Sequence, residues 1–437
     1  MSREMVNSGI PWIGEIPKDW TVCFIKQIMR NKSIKGYPNE TVLSLYRDYG
    51  IVPKDSRNDN HNVTSEDTSN YKFVEVGDFV INKMKAWQGS MAVSEYQGII
   101  SPAYYICRFT SPDIERRYIH YLLRNDTYKN EYMRLSSGMR VGQWDLNIDD
   151  FLRIKMILPS LSEQQKIASF LDRKCSEIDE MIALQEKIIE ELKAYKQSVI
   201  TEAVTKGLNP DVPMKDSEIE WVGEIPKHWE IRRLKDCGYL YGGLSGKAGD
   251  DFNVDEERDN YAFFIPFTNI WNNLYIDENN LYRVKVEPNE NQNEVAKGDL
   301  LFLMSSEDYS GLGKTSLLNT SIKQLYLNSF CKGFRVTDRS VDSRYLNFLL
   351  TSSPIRNIIM CMGNGFIRVN LRAEKLSKCP IILPTICEQT SIADYLDTKC
   401  IEIDNLISIK RTKIEDLKEY KKSIIYEYVT GKKEVTE

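Results

Sequence analysis

Several signatures of chemistry are missing from this chain of 437 residues. Its three histidines, His61, His120 and His228, lie far apart, and none of its nine cysteines belongs to a Cys-x-x-Cys pair. The sequence therefore has neither the ligand spacing of a zinc site nor a recognisable Ser/His/Asp or Cys/His arrangement. Scattered single cysteines are typical of reduced thiols in the cytosol. We predict a cytoplasmic protein with no metal site.

Long apolar runs are missing as well. Spanning a bilayer takes about 18 consecutive apolar residues, and the sequence has no such run. Residues 1–17 do not have the apolar core of a signal peptide, so we expect no membrane segment. A net charge of −5 gives the chain no general attraction for DNA, but nucleic-acid binding depends on local basic patches rather than on total charge.

Most of the chain is an internal repeat. Residues 12–20, a short motif that begins and ends with tryptophan, return at 221–229 with two substitutions. Residues 158–205 return without a gap at 383–430. The regions between these parts have diverged and differ in length. A repeat of this kind predicts two copies of one architecture, with a repeated frame and two variable regions that each recognise something different.

The repeat divides the chain into four predicted segments. They are residues 1–157, with the first motif and variable domain; 158–208, a central helix; 209–382, with a linker, the second motif and the second variable domain; and 383–437, a distal helix and C-terminal tail. Apolar runs broken by Gly-Asp turns indicate mixed α/β variable domains. We therefore predict an α+β protein.

The two repeated segments are predicted to be long helices. Residues 162–205 contain no proline or glycine, and apolar residues recur at alternating steps of four and three, which indicates a coiled-coil seam. Polar Gln185 and Lys196 interrupt the first seam, and Lys410 and Lys421 interrupt the second at the same places. The predicted seam residues are Ile178, Ile182, Ile189, Leu192 and Val199, then Ile403, Ile407, Ile414, Leu417 and Ile424.

The direction of the second helix follows from chain length. A domain of about 150 residues has a radius of gyration of about 15 Å, whereas a helix of about 44 residues is about 66 Å long. The exit of such a domain therefore lies much nearer to its entrance than one helix length. The second helix must therefore begin near the end of the first and run back antiparallel to it. This arrangement predicts variable domains at opposite ends of a two-helix spacer; a stalk that dimerises two chains is the alternative.

The starts of the two helices are predicted to differ. Ser162 and Gln165 have the spacing of a capping box. The second copy has Cys387 and Thr390 at the corresponding places. We therefore expect the second helix to lack this cap and to start less firmly.

The variable regions share a scaffold and differ in their loops. The strand pattern of residues 73–81 around a Gly-Asp turn returns at 295–303, but the sequences then diverge between residues 82–90 and 304–311. Gly-rich segments follow at 138–147 and 363–372. Arginine and lysine bind guanine or phosphate, and asparagine and glutamine bind adenine. The candidate DNA-binding residues are Lys83, Lys85, Trp87, Gln88, Arg140, Gln143, Trp144, Ser305, Tyr309, Lys314, Arg368, Asn370 and Arg372.

No motif in the chain indicates catalysis. The Asn/Asp-Pro-Pro-aromatic motif of DNA amino-methyltransferases is missing from the sequence. Residues 310–315 resemble the end of a phosphate-binding loop, but Asp308 stands where that motif requires glycine. We interpret this resemblance as accidental, and a nucleotide hydrolase remains the unfavoured alternative.

The repeated motif and the repeated helical segment resemble those of a known family. Residues 224–235, with Glu-Ile-Pro-Lys-His-Trp-Glu followed by Arg-Leu-Lys, are similar to the opening of each half of type I restriction–modification specificity subunits. Residues 158–172, running on to 202–205, are similar to the helical segment that follows in that family. The resemblance covers nearly the whole chain, in the family's order, twice.

The resemblance implies a division of labour. Each variable region would be a target-recognition domain for one half of a bipartite double-stranded DNA site. The antiparallel coiled coil would set the unread gap and dock two modification subunits. S-adenosylmethionine, ATP and Mg would bind only to modification and restriction subunits, so this chain would carry no cofactor and no catalysis. A DNA-binding cassette without active partners is the alternative.

Overall fold

A computed structural model describes residues 3–47, 49–57, 64, 67–140, 143–255, 261–287, 289–365 and 368–436. The chain divides into two compact units. Unit 1 comprises residues 1–186 and 411–437, and unit 2 comprises residues 187–410. Each unit therefore combines one variable region with part of each long helix.

The strands follow the repeat. In the first repeat they are β1 Met5–Asn7, β2 Glu15–Pro17, β3 Thr21–Phe24, β4 Met29–Lys32, β5 Leu43–Tyr46, β6 Gly50–Pro53, β7 Lys72–Val74, β8 Phe79–Asn82, β9 Met91–Val93, β10 Gly98–Ile100, β11 Tyr104–Phe109, β12 Ser137–Arg140, β13 Gln143–Asp145 and β14 Lys155–Leu158. In the second they are β15 Met214–Asp216, β16 Glu224–Pro226, β17 Glu230–Arg233, β18 Gly238–Gly242, β19 Tyr261–Ile265, β20 Tyr282–Lys285, β21 Leu300–Leu303, β22 Ser305–Ser306, β23 Thr315–Leu317, β24 Leu325–Leu327, β25 Cys331–Val336, β26 Val369–Asn370 and β27 Pro380–Leu383.

The helices also follow the repeat. They are α1 Arg116–Arg124, α2 Asp126–Leu135, α3 Ile148–Leu152, α4 Leu161–Lys206, α5 Phe267–Asn272, α6 Ser343–Thr351, α7 Ser353–Cys361, α8 Ala373–Leu376 and α9 Ile386–Val429. The helices α4 and α9 match the two predicted long helices. The predicted α+β class is therefore confirmed.

The same antiparallel sheet forms the centre of both variable domains. Its strand order is β4-β11-β8-β9 in unit 1 and β18-β25-β21-β23 in unit 2. The pairs β3–β14 and β17–β27 also correspond, and each ends directly before a long helix. Both regions thus retain one frame although their sequences have diverged.

The elements added to this frame differ between the units. Unit 1 adds the hairpins β5–β6 and β7–β10. Unit 2 adds a sheet of order β20-β19-β24, in which β19 and β24 are parallel. The predicted strand before the Gly-Asp turn is present in unit 1 as β7. Its counterpart around Val295 is not a strand. The Val295 backbone N–H donates to the Leu325 carbonyl at 2.8 Å, but no ladder of such bonds follows among the described residues.

A buried aspartate closes the turn before the second strand of each frame. One carboxylate oxygen of Asp78 and of Asp299 accepts from the backbone N–H three residues earlier, at 2.9 and 2.8 Å. Asp78 also pairs with Lys32 at 2.6 Å, and Asp299 with Arg335 at 2.7 Å. Buried charges are retained when they are paired in this way. The shared Gly-Asp turn is therefore a structural element of the frame.

Each frame is attached to the end of a long helix through a buried tyrosine. The hydroxyl of Tyr118 in α1 donates to the carbonyl of Val429 in α9 at 3.1 Å. The hydroxyl of Tyr345 in α6 lies 3.2 Å from the carbonyl of Val204 in α4. Both tyrosines are fully buried. Each unit thus joins its variable domain to the last turn of the helix that comes from the other repeat.

The starts of the helices are attached to the same frames through glutamine side chains. Gln164 and Gln389 are buried, and each Nε2 donates to the proline carbonyl before its own helix at 2.9 Å. The Oε1 of Gln164 accepts from Glu115 at 2.9 Å, and that of Gln389 accepts from Asp342 at 2.8 Å. Glu115 and Asp342 are the N-cap residues of α1 and α6. One carboxamide therefore holds two helix starts together.

The predicted cap of the first long helix is wrong. The helix α4 begins at Leu161, and Ser160 is its cap, because the Ser160 hydroxyl accepts from the Glu163 backbone N–H at 3.3 Å. Ser162 and Gln165, the predicted box, lie within the first turn and are exposed. The preceding strand ends at Leu158, Pro159 and Ser160 follow it, and the helix starts at Leu161, so the cap lies two residues before the predicted position.

The prediction that the second helix lacks a cap is also wrong. The Glu388 carboxylate accepts from the Thr385 backbone N–H at 3.1 Å, and the Thr385 hydroxyl accepts from the Glu388 backbone N–H at 3.4 Å. These reciprocal bonds form a capping box. The sequence prediction aligned Cys387 with Ser162, which is not the cap of the first helix. The Thr-x-x-Glu pattern at residues 385–388 was therefore overlooked.

The seam residues are withdrawn from solvent along both helices. Buried members are Ile178, Ile189, Ile403, Ile407, Ile414 and Ile424, and half-buried members are Ile182, Leu192, Val199 and Leu417. In unit 1 the rings of Phe170 and Tyr428 lie 4.4 Å apart, and Lys421 pairs with Asp179 at 2.6 Å. The two segments in this unit are therefore antiparallel.

Two of the four polar seam residues, Lys196 and Lys421, form ion pairs between the helices. Lys421 pairs with Asp179 in unit 1, and Lys196 pairs with Asp404 in unit 2, both at 2.6 Å. The two pairs occupy equivalent places in the repeat. They give the seam a preferred register, as charges beside a coiled-coil core commonly do. No helix in the described part of the chain is both long and apolar enough to cross a membrane.

The corrected caps generate a stability prediction. Replacing Thr385 by alanine removes one half of the capping box and is expected to cost about 1 kcal/mol. For a unit of this size that cost corresponds to about 2–4 °C in the unfolding midpoint, measured by circular dichroism. The matched control is Ser162→Ala, which we expect to leave the midpoint unchanged. Equal losses in both variants would contradict the cap assignment.

Candidate nucleic-acid interface

The first predicted loop of unit 1 is a short 3₁₀ helix. It comprises Lys83–Gln88 and follows β8 directly. The Asn82 side chain accepts from the Met84 backbone N–H at 3.2 Å, and the indole N–H of Trp87 donates to the Met84 carbonyl at 3.1 Å. Lys83 lies over the ring of Tyr105 at 4.7 Å, whereas Lys85 is exposed. Local bonds therefore fix the loop and leave one lysine free to reach solvent.

The second predicted loop of unit 1 packs on the first. The strands β12 and β13 form a hairpin that pairs Arg140 with Gln143. Trp144 in this hairpin meets Trp87 edge to face, with ring centroids 5.1 Å apart. Two segments that are distant in sequence thus form one surface. The side chains of Arg140 and Gln143 lie outside the described part of the structure.

A third segment of unit 1 joins this surface and was missed by the sequence analysis. The guanidinium of Arg47, just after β5, donates to the Oε1 of Gln88 at 3.0 Å. Its backbone carbonyl accepts from Arg124. No local pattern marks Arg47, since only the folded chain brings β5 next to this loop.

The two predicted loops of unit 2 also meet. The strand β22 pairs with β26, so that Ser305 lies opposite Asn370. Ser305 is buried, and its hydroxyl has no partner among the described residues. Tyr309, Asn370 and Arg372 are exposed. The same pairs of segments therefore meet in both units, although unit 1 uses packing and unit 2 uses strand pairing.

An exposed cation–π pair lies beside the second loop of unit 2. The guanidinium of Arg368 lies 5.4 Å from the ring centroid of Phe330, and 57% of Phe330 is exposed. Sequence reasoning identified Arg368 and missed Phe330. In the sequence Phe330 is marked only as an aromatic residue in a turn. That signal alone does not distinguish an aromatic side chain that contacts a ligand from one that packs in the protein core.

The segment that resembles a phosphate loop has a different structure. Thr315 opens the strand β23, whereas the motif requires a helix at this point. The ammonium of Lys314 lies 4.2 Å from the ring centroid of Trp271 and 3.3 Å from its carbonyl. The Asp308 carboxylate accepts from the Gly311 backbone N–H at 3.0 Å. The segment is thus a tight turn between two strands.

No grouping of three potential metal ligands from histidine, cysteine, aspartate or glutamate occurs in the described ranges. His120, which is half-buried, accepts from the Val93 backbone N–H at 3.3 Å. Burial, together with the charge of Arg124, lowers the pKa of His120 to about 3. The imidazole of His120 is therefore neutral and helps to hold α1 against β9 through this backbone bond.

Comparison with protein families decides the identity of this arrangement. The model of the type I restriction modification DNA specificity domain matches residues 17–194 and again residues 226–431. The two matches cover most of the chain and follow the repeat. The chain belongs to the type I restriction–modification specificity subunits.

Curated relatives of this specificity subunit extend over its length. The type I restriction enzyme MjaVIII specificity subunit of Methanocaldococcus jannaschii is 26% identical over 439 residues, which is 95% of this chain and 93% of the relative. The EcoKI specificity subunit of Escherichia coli is 23% identical over 307 residues, covering 67% of this chain and 61% of the relative.

Solved structures share the fold of the specificity subunit. A chain from a study of complex assembly and conformational transition in a type I restriction–modification system matches 95% of this chain and 99% of its own length, with a TM-score of 0.70 and 16% identity. The HsdS subunit from Thermoanaerobacter tengcongensis matches 95% and 98%, with a TM-score of 0.52 and 15% identity. At this level of identity the likeness concerns the fold.

The tight turn of unit 2 generates the second prediction. A Cβ at Gly311 would lie 1.9 Å from the Trp271 ring, so Gly311→Ala must displace the loop. We expect a loss of about 1–3 kcal/mol, as for other overpacked sites, measured as a lower midpoint of thermal unfolding. Gly242→Ala is the control, because nothing lies within 4 Å of the added Cβ. An unchanged midpoint for Gly311→Ala would contradict the close packing on Trp271.

Proposed function

We propose that each variable domain binds one half of a bipartite double-stranded DNA target through its pair of meeting loops. One observation carries this proposal. In both units, two loops distant in sequence meet beside the same strand of a common frame, yet the loops themselves differ. A common frame with different loops allows two different base sequences to be recognised by one architecture.

The residue types in these loops support base and phosphate recognition. Arginine and lysine pair with guanine or phosphate, asparagine and glutamine pair with adenine, and apolar groups contact the thymine methyl. We propose the exposed and half-exposed members of each face as DNA contacts. They are Lys85, Trp87 and Gln88 in unit 1, and Tyr309, Arg368, Asn370 and Arg372 in unit 2.

We propose that the paired helices act as a spacer between the two recognition domains. Two features support a defined helical register. Seam residues are withdrawn from solvent in both helices, and the ion pairs Lys421–Asp179 and Lys196–Asp404 recur at equivalent places. A spacer with a defined register would hold the two half-sites at a constant separation.

We further propose that the helices dock two modification subunits, which in turn recruit restriction subunits. Exposed apolar side chains recur at equivalent positions of both helices. They are Met181 and Leu406, Leu184 and Ile409, and Tyr195 and Tyr420. Exposed apolar patches commonly mark protein interfaces. Two equivalent sets of such residues support two copies of the same partner.

In this proposal the chain carries out no chemical step. The modification subunits would bind S-adenosylmethionine and methylate adenine, and the restriction subunits would use ATP and Mg. The residues of this chain would select the sequence and position the partners. The strand context of Lys314 agrees with this assignment, since it differs from that of a phosphate-binding loop.

Genome-wide mapping of methylated adenine tests the proposal directly. The host expresses the modification subunit encoded beside this chain, with the chain present, with it absent, or with residues 21–157 exchanged for those of a relative. We expect a split motif with a constant gap only when a specificity chain is present. The exchange should change one half of that motif, because residues 21–157 form one recognition domain.

Each comparison has an outcome that contradicts the proposal. A motif that persists without the chain would show that specificity lies elsewhere. An exchange that changes both halves, or neither, would contradict the assignment of one domain to each half-site.

The spacer has its own test. Insertion of one heptad after Leu192 and another after Leu417 keeps the seam periodicity and lengthens the helix pair by about 10 Å. This length corresponds to about three base pairs at 3.4 Å each. We expect the mapped gap to widen by this amount while both half-sites stay the same. A changed half-site sequence, or a gap of the original length, would contradict the spacer.

A further inference from the structure

The second helix of each variable domain places a basic residue beneath a recognition loop. The helices α2 and α7 correspond in the two frames, and Lys129 and Arg356 occupy the same position in them. A Cβ at Gly89 would lie 2.5 Å from the Cε of Lys129. The guanidinium of Arg356 donates to the Ser310 carbonyl at 2.9 Å. Each basic side chain therefore lies against the loop that follows the central strand.

The two basic residues differ in their charge partners. Lys129 pairs at 2.6 Å with Asp126, one helical turn earlier. Ser353 occupies the position of Asp126 in α7, so the corresponding carboxylate is missing. Among the described residues Arg356 forms no salt bridge, and its Nη1 is buried without a hydrogen-bond partner. Burial lowers the pKa of Arg356 to about 10.

A second cation of unit 2 lies close to Arg356. Lys314 ends the same loop, half-buried against Trp271, and forms no salt bridge within the described ranges. Burial and the charge of Arg356 lower the pKa of Lys314, and the charge of Asp308 only partly opposes them. The Asp308 carboxylate is engaged within the loop by the Ser310 hydroxyl at 2.7 Å and by the Gly311 backbone N–H. Two partly buried cations thus share a loop without an ion pair.

An uncompensated cation in a partly buried place is unfavourable, and a bound anion removes that cost. DNA presents such an anion at every phosphodiester, and contacts to phosphate position a protein without reading sequence. We propose that Arg356 and Lys314 bind a backbone phosphate, so that unit 2 anchors the protein on DNA. In unit 1 Asp126 neutralises the equivalent lysine. This inference rests on the proposed DNA-recognition function.

Fluorescence anisotropy tests the anchor with the full chain assembled with its modification subunits. The probe is a duplex that carries the motif found by methylation mapping, titrated at several salt concentrations. Ser353→Asp restores the missing carboxylate and keeps Arg356 in place. We expect it, like Arg356→Ala and Lys314→Ala, to weaken binding about tenfold. Each variant should make the dependence of log affinity on log salt shallower, with the magnitude of the slope smaller by about 1.

The first domain supplies matched controls. Lys129→Ala removes a lysine that is already neutralised, and we expect affinity and slope within about twofold of the unmodified protein. Asp126→Ser converts the first domain to the pattern of the second. This variant should make the salt dependence of binding steeper, with the magnitude of the slope larger by about 1. Thermal unfolding of each variant separates lost binding from a damaged fold.

The outcomes separate this inference from the proposed function. If the unmodified complex methylates a split motif, but Ser353→Asp and Lys314→Ala leave the salt dependence of binding unchanged, the phosphate anchor alone would be overturned. A changed motif in these variants would also overturn it, because the residues would then read bases. Failure of the unmodified complex to methylate any split motif would instead overturn the proposed function.

Discussion

The attachment of each recognition domain to both long helices is the constraint on which the structure depends. A tyrosine hydroxyl of the frame, from Tyr118 or Tyr345, bonds the last turn of one helix, and a glutamine in the first turn of the other helix, Gln164 or Gln389, accepts from the N-cap residue of α1 or α6. These groups are buried, so removal of either partner leaves unpaired polar atoms. The two helices must therefore run in opposite directions for each unit to receive one beginning and one end.

This constraint leaves the loops free to change. The bonds that join frame to helix involve α1, α6 and the residues around the helix starts, whereas the variable loops follow β8 and β21 at another part of the sheet. Bonds within the loops, such as Trp87 to Met84 and Asp308 to Gly311, contribute to the conformation of the loops. Changes in these loops therefore need not disturb the attachment, and recognition can differ between domains that share one frame.

Sequence reasoning succeeded where the signal is periodic or repeated. The long helices, their seam and the duplicated frame all follow from spacing, which depends on local geometry. It failed at the helix caps, because the choice between Ser160 and Ser162 depends on where the preceding strand ends. It also missed Arg47, Phe330 and Arg356, since their roles arise from contacts between segments distant in sequence. Composition alone could not separate these residues from ordinary surface charge.

The distribution of ion pairs reconciles the acidic sequence with a DNA partner. The helices pair their charges locally, as in Lys193 with Glu190 and Lys418 with Glu415, so much of their charge is compensated within the helix. Two cations that form no salt bridge among the described residues, Arg356 and Lys314, occur instead in a recognition domain. Because phosphate attraction acts over about 10 Å at moderate salt, the placement of unpaired charge matters more than the total of −5. This distribution of charge supports the proposal that the loops bind DNA and that the helices bind other proteins.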